Sequence, residues 1–484
     1  MTRSGRNSGS NGGRNTAHGE RSAERSIGRN AGRNAGRSTA RGSGKPVTAA
    51  RRVSQAMLED LRSGMLLDAS FEQRVSQLDP RDRRWVQQLV WTLLRTRERV
   101  DVILDRRIRG GITVLEDGVL DLLRLGVVQL LYMDSVPAYA AVGETVEAAR
   151  QQYSHGAASL VNAVLRRVDR ERDALELPSL SDPIEAMVLE FSHPAWQVRR
   201  WCERYGMESA RALLEHNNTS AAVVIRPNGV KSSLLAQMLA GEGVETRSAK
   251  YVPDSLEIVG PVSLVELSAF RQGLFYVQDP AATLVTRYAH VSKGGVVADL
   301  CAAPGGKSLE LAQRAKLVLA ADQSRSRVAR MRQGFARLDA GSDLTERILV
   351  LQADAARPAI SPVDAVLLDV PCTGTGTYRR HPDARWRFQP SDLAVLASIQ
   401  ERILNEACRV VKPGGLLIYS TCSLEYEEND AQVEGFLAEH PEFSLEPPPP
   451  EVVGAGMLDD GRLRVLPWEH GSDGSFAARM RREI

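Results

Sequence analysis

Two short segments hold the residues that could do covalent chemistry: Asp369-Val370-Pro371-Cys372-Thr373-Gly374-Thr375-Gly376-Thr377 and Ser420-Thr421-Cys422-Ser423. The first joins an apolar run to a loop of Pro, Thr and Gly and puts a thiol three residues from a carboxylate; the second closes the next apolar run. Such small-residue loops are poor places to pack a cysteine, so the two thiols and Asp369 read as chemistry. A soft thiolate can add to carbon 6 of a cytosine, make the otherwise feeble carbon 5 nucleophilic, and later leave. That use needs more thiolate than a free thiol with a pKa of about 8.5 supplies, and hence a polar, electropositive site. Asp369 would hold the base edge and offset charge at the ring nitrogen, while the second thiol would assist loss of the carbon 5 proton. Spacing alone leaves open which of Cys372 and Cys422 attacks.

A third segment, Asp299-Leu300-Cys301-Ala302-Ala303-Pro304-Gly305-Gly306-Lys307-Ser308, is a small-residue turn that leads from a strand into a helix. Glycines there let a ligand approach backbone amides at the helix start. A P-loop would need glycine five residues before Gly306, where Cys301 stands, and no G-x-G-x-x-G dinucleotide fingerprint is present. Instead Asp322, Asp354 and Asp369 follow three successive strand-like runs. Any one of them would pass as a helix cap, but three after a glycine turn suit a nucleoside ligand. Asp322 can accept from ribose hydroxyls and Asp354 can meet an adenine amino group, which makes S-adenosylmethionine the economical cofactor.

These residues need a scaffold, and the spacing after Gly294 predicts one. Strands at Val296 to Leu300, Leu317 to Ala321, Ile348 to Gln352, Ala365 to Asp369 and Leu416 to Ser420 alternate with helices at Ser308 to Ala315, Ser324 to Leu338 and Asp392 to Val410. Such alternation predicts a mostly parallel doubly wound sheet whose ligands sit at the carboxyl ends of the strands. Upstream, Val53, Met57, Leu58 and Leu61, then Trp85, Leu89, Leu93 and Leu94, mark an all-helical region. Between Pro178 and Tyr288, strands at Ala222 to Arg226 and Ser255 to Val259 flank a helix at Ser232 to Ala240 and predict a small α/β subdomain. Ser192-His193-Pro194 before it is read as a turn that starts a helix, with no catalytic role. The run Arg379-Arg380-His381-Pro382-Asp383, with Arg385, Trp386 and Arg387, is expected either to hold RNA phosphates and stack a base or to form a solvated loop over the site. A target base must in any case be splayed out before a thiolate can reach its face.

With 484 residues, 43% hydrophobic and 25% charged, the chain should form two or three domains. It has no apolar run near the ~20 residues of a membrane span, and its first residues lack a secretory core. Cysteines at 202, 301, 372, 408 and 422 form no CxxC pair, so neither a disulfide framework nor a metal site is expected. A cytoplasmic protein without membrane partners, acting as a monomer, fits these features. The stretch Met1 to Lys45 carries nine Arg and one Lys against Glu20 and Glu24, in a chain of net charge +2. Without apolar residues to bury, it is expected to be a disordered tail, either neutralising phosphates or aiding solubility.

The run Leu122 to Met133, Ser135-Val136-Pro137 and Leu160-Val161-Asn162-Ala163-Val164-Leu165-Arg166-Arg167 resembles the NusB-type RNA-binding helical domain. The three chemical segments together resemble the bacterial Sun and eukaryotic nucleolar-protein family of RNA 5-methylcytosine methyltransferases. That resemblance spans Val47 to Ile484 and is most specific in Asp299 to Ser308, Asp369 to Asp383 and Ser420 to Asp430, including Glu427-Glu428-Asn429. It implies a multidomain chain: tail 1–46, an all-α NusB-like domain 47–177, a small α/β RNA-binding connector 178–288, and a Rossmann-like methyltransferase domain 289–484. It also implies S-adenosyl-L-methionine held by Cys301, Ala302, Ala303, Pro304, Gly305, Gly306, Lys307, Asp322, Asp354 and Asp369. Cys422 becomes the nucleophile, Cys372 the thiol that helps release product, and 16S ribosomal RNA of the small subunit the substrate. Ser475 departs from the family's usual aromatic residue. Two rivals are a non-catalytic RNA-binding ribosome assembly factor, in which paired thiols have no use, and a DNA cytosine-5 methyltransferase, in which Cys372 of the Pro-Cys dipeptide would attack.

Overall fold

The structure is a computed structural model that describes residues 47–484, so the expected disordered tail lies outside the described residues. Six helices form the first layer: α1 (Ala49–Arg62), α2 (Leu67–Val75), α3 (Pro80–Asp105), α4 (Asp117–Leu131), α5 (Ala138–Gln152) and α6 (His155–Glu171). Asp79 starts α3 by accepting from the amides of Arg81 and Asp82, with Pro80 in the first turn. Met57, Leu89 and Leu93, expected from helical spacing, lie in the core together with Leu123, Val161 and Leu165. A Cβ on Gly126 would lie 2.6 Å from Leu165 Cδ1, so glycine lets α4 and α6 approach closely.

Helices α7 (Pro183–Phe191) and α8 (Ala195–Asn218) follow, the second kinked at Gly206 with φ of +81°. They pack Val188, Phe191, Trp201 and Leu214 against Tyr378 and Leu424, in the segments that follow Asp369 and Thr421. Next come β1 (Val223–Pro227), α9 (Ser232–Gly241), β2 (Thr246–Ala249), β3 (Val252–Ile258), α10 (Ser268–Arg271) and β4 (Phe275–Val277). The four strands make an antiparallel sheet of order β2-β3-β1-β4.

The last part of the chain holds α11 (Pro280–Ala289), β5 (Val296–Asp299), α12 (Gly306–Ala312), β6 (Leu317–Asp322), α13 (Arg325–Leu338), β7 (Ile348–Gln352) and β8 (Val363–Asp369). It continues through α14 (Ala384–Arg387), α15 (Pro390–Ala407), β9 (Val411–Thr421), α16 (Asp430–Glu439), β10 (Phe443–Leu445), β11 (Leu458–Asp459), β12 (Arg462–Val465), α17 (Pro467–His470) and β13 (Ser475–Arg482). Strands β9-β8-β5-β6-β7 are parallel neighbours in that order. The order reverses between β5 and β8, which opens a ligand crevice at their carboxyl ends. Beyond β9 the sheet is antiparallel, because β13 pairs with β9, β10 and β12. This extension was not expected from sequence: the charges of Arg479 and Arg481 hide the strand, and both guanidiniums are taken up by Glu446. Among the described residues no helix is long and apolar enough to cross a membrane.

Candidate active site

The register of β8 against β9 places Asp369 beside Ser420, and Ser420 Oγ donates to Asp369 Oδ1 at 2.9 Å. The loops leaving these two strands then bring Cys372 Sγ and Cys422 Sγ to 3.4 Å, hydrogen-bonded and unoxidised. The bond to Cys422 and burial push the Cys372 thiol well above the ordinary range, so Cys372 is held as a thiol.

Backbone packing fixes the two loops. Gly374 takes φ of +67°, a conformation that favours glycine. The Gly376 amide donates to the Cys422 carbonyl at 3.0 Å, and the Gly474 amide to the Gly376 carbonyl at 2.8 Å. A Cβ on Gly376 would meet both the Cys422 oxygen and Gly474 Cα at 2.8 Å.

Beneath the loops lies the buried Glu428. It accepts from the Thr373 amide at 2.9 Å, Thr373 Oγ1 at 2.5 Å and Gln400 Nε2 at 3.0 Å. Gln400 also donates to the Pro371 carbonyl at 2.9 Å. These bonds from Glu428 and Gln400 hold the Cys372 loop in one geometry, and each buried polar group left unpaired by breaking them would cost ~1–3 kcal/mol.

The turn after β5 forms the adjoining wall. Ser308 Oγ donates to Asp299 Oδ2 at 2.7 Å, while Asp299 Oδ1 is buried without a partner among the described residues, and burial pushes the Asp299 carboxyl up to about 7. Burial, then the neighbouring carboxylates, also push the Cys301 thiol up. Lys307 Nζ lies 2.7 Å from Asp369 Oδ2. Burial works against its charge, but Asp369, Asp299 and Cys422 outweigh it, so Lys307 is held above the usual range. The site thus has the fixed cation that thiolate chemistry requires.

Asp322 ends β6, buried, and Asp354 follows β7, exposed. Each also caps local backbone through Oδ1, Asp322 to the Ser324 amide at 2.8 Å and Asp354 to the Ala356 amide at 2.9 Å. The structure therefore clusters Asp299, Lys307, Asp369, Cys372 and Cys422, and sets Asp322 and Asp354 on the two strands beyond β5. An orphaned carboxylate oxygen under a glycine turn, with carboxylates at successive strand ends, fits the polar groups of an adenosyl amino acid.

Part of the basic run after the Cys372 loop is turned inward, while Arg387 stays exposed and pairs with Asp383. Arg379 and Arg385 are buried, and Arg385 donates to the Asn217 carbonyl at 3.1 Å and Asn218 Oδ1 at 2.9 Å. Arg380 bridges Asp279 at 2.5 Å and Asp473 at 2.9 Å. Trp386 donates to the Leu94 carbonyl at 2.7 Å and packs on the helical core, while Arg95 donates to the Arg379 carbonyl at 2.9 Å. The reason is that distant residues supply an ion pair for Arg380 and neutral acceptors for Arg385, which local sequence does not display. The loop therefore joins the helical layer to the loops that carry Cys372 and Cys422.

Sequence reading missed the structural task of Gln400. Its signal was present: Leu393, Gln400, Ile403, Leu404 and Ala407 share the buried face of α15, and a polar residue in an apolar stripe needs a buried partner.

Comparison with known proteins adds to this geometry. The family described as 16S rRNA methyltransferase RsmB/F matches residues 289–481, the NusB family residues 48–170, and the RsmF/B-like ferredoxin-like domain residues 193–265. The "Probable ribosomal RNA small subunit methyltransferase B" of Bacillus subtilis strain 168 is 34% identical over 425 residues, covering 84% of this chain and 92% of its own. The crystal structure of PH0851 is similar with a TM-score of 0.75 at 24% identity, covering 91% of this chain and 99% of that one. That of NSun6 from Pyrococcus horikoshii with SFG, an S-adenosylmethionine analogue, has a TM-score of 0.53 at 22% identity, covering 60% and 98%. The two structures share the fold.

Proposed function

Because the chain belongs to the RsmB/F family of 16S rRNA methyltransferases, we propose that it methylates carbon 5 of a cytosine in small-subunit ribosomal RNA through a covalent bond between Cys422 and the base. The observation that carries this reading is the 3.4 Å pair of Cys372 and Cys422 beside Asp369, at the carboxyl edge of the parallel strands. The family uses S-adenosyl-L-methionine, which supplies an electrophilic methyl group.

Cys422 is the attacking thiolate in this scheme, since Cys372 is kept protonated and the Lys307 ammonium offers a countercharge. Thiolate addition to carbon 6 pushes an electron pair toward carbon 5, where the new carbon–methyl bond would form as the methyl's bond to the donor's sulfonium sulfur breaks and that bond's electron pair stays on the sulfur, which leaves as a neutral thioether. Asp369, ordered by Lys307 and Ser420, holds the base edge and offsets charge at the ring nitrogen. Loss of the carbon 5 proton to a base returns the pair to the ring and expels the Cys422 thiolate, which the Cys372 S–H stabilises. The turn Cys301 to Lys307 with Asp322 and Asp354 holds the cofactor, and the helical layer and the antiparallel connector carry structured RNA.

The enzyme acts in the cytoplasm as a monomer. Bisulfite mapping of ribosomal RNA from cells with and without the protein tests the reading. Loss of one 5-methylcytosine from 16S RNA is expected; an unchanged map would overturn the cytosine assignment.

A further inference from the structure

Gln278 sits where the antiparallel connector meets the catalytic sheet, one residue after β4. Its amide donates to the Val224 carbonyl at 3.0 Å. The next residue, Asp279, accepts from the Ala281 amide at 2.9 Å and from Arg380 Nη2 at 2.5 Å. The backbone at Gln278 is therefore held from both sides, and its side chain is delivered from a rigid junction.

That side chain is only 7% exposed, yet neither Nε2 nor Oε1 has a hydrogen-bond partner among the described residues. It packs on the turn after β5: a Cβ on Gly306 would lie 3.0 Å from Gln278 Oε1 and 3.4 Å from its Cδ. Gly306 is thus small because the carboxamide comes against it. A buried amide with both polar atoms unpaired costs ~1–3 kcal/mol per group, and folded proteins keep few of them without a function. A second orphan, Asp299 Oδ1, lies beneath the same turn.

We propose that Gln278 is a further cofactor-binding residue, whose carboxamide takes the α-amino-acid end of S-adenosylmethionine. This inference rests on the cofactor site described under the proposed function. In that site Asp354 and Asp322 lie at the ends of β7 and β6 and take adenine and ribose, so the part of the ligand that reaches the β5 turn is the amino-acid part. A zwitterion needs donors for its carboxylate and acceptors for its ammonium. The Gln278 carboxamide offers both from one neutral group, and Asp299 Oδ1 offers a further acceptor. The adenosyl part offers no such pair of opposite charges.

Calorimetric titration of the full chain tests this with two probes, S-adenosylhomocysteine and 5′-methylthioadenosine, which lacks the amino-acid end. Gln278→Leu should weaken S-adenosylhomocysteine about 10- to 100-fold, the range for losing a hydrogen bond to a charged group, and change 5′-methylthioadenosine less than about twofold. Thermal melting of the ligand-free variant should give a midpoint equal to or above wild type, since two unpaired buried atoms are removed. Equal weakening of both probes, no weakening of either, or a lowered ligand-free midpoint would each overturn the assignment. Wild-type protein that binds neither probe would instead overturn the cofactor site itself.

Discussion

Lys307 Nζ stands 2.7 Å from Asp369 Oδ2 and so ties the turn after β5 to the strand that leads into the Cys372 loop. One ion pair thereby joins the glycine turn to the strand beside the two sulfurs. Lys307→Met should remove the local cation and make thiolate formation harder. We expect kcat/KM to fall about 10- to 100-fold at neutral pH and to recover partly as pH rises, the sign that follows from losing a nearby positive charge. A pH–rate series checks this; a uniform loss at every pH would assign Lys307 to cofactor binding alone.

The cysteine pair separates the two thiol roles. Cys422→Ala should reduce methyl transfer by more than ~10³-fold, the scale for deleting a covalent nucleophile. Cys372→Ala should leave an RNA–protein adduct that survives denaturing electrophoresis. An adduct formed through Cys372 instead would favour the order of attack found with Pro-Cys nucleophiles.

Asp299 makes stability depend on pH. Its folded carboxyl is raised to about 7 by burial, above the ~3.9 of an unfolded aspartate. A raised folded value means that the neutral acid is favoured in the fold. Its stabilising contribution is therefore complete below about pH 4 and lost as pH rises through about 7. The shift of about three units caps the effect at roughly 4 kcal/mol. Asp299→Asn keeps an acceptor for Ser308 and removes the titration, so melting curves from pH 4 to 8 should show wild type losing stability relative to the variant.

Trp386 packs on the helical layer and is one of the contacts between it and the loops that carry the two cysteines. It is half-buried, so Trp386→Ala should cost about 2 kcal/mol, below the roughly 3–5 of a fully buried ring. Limited proteolysis should then cut faster between α6 and α7, and methylation of ribosomal RNA should fall more than binding of S-adenosylhomocysteine. Equal loss of both would mean that the contact serves the cofactor site.

Much of this protein was legible in its sequence because the signals are local. Apolar runs and their spacing predict an all-helical region after Val47 and the parallel strands, and the Asp299 to Ser308 turn with Asp322, Asp354 and Asp369 marks strand ends within single turns of chain. The two cysteines could likewise be picked out by the small residues around them. Tertiary structure alone decided what lies between those signals. The register of β8 on β9 sets the 3.4 Å sulfur pair across 50 residues of sequence. Glu428 and Gln400 come together under the Cys372 loop only when α15 packs there. The same holds within the basic run for Arg380, paired with Asp279 and Asp473, and for Arg385, buried on Asn217 and Asn218. Gln278, unremarkable in its own segment, acquires a role only from the Gly306 turn that faces it. Propensity and periodicity are set by neighbours along the chain, whereas burial, pairing and orphaned polar groups are set by partners that only the folded chain brings near.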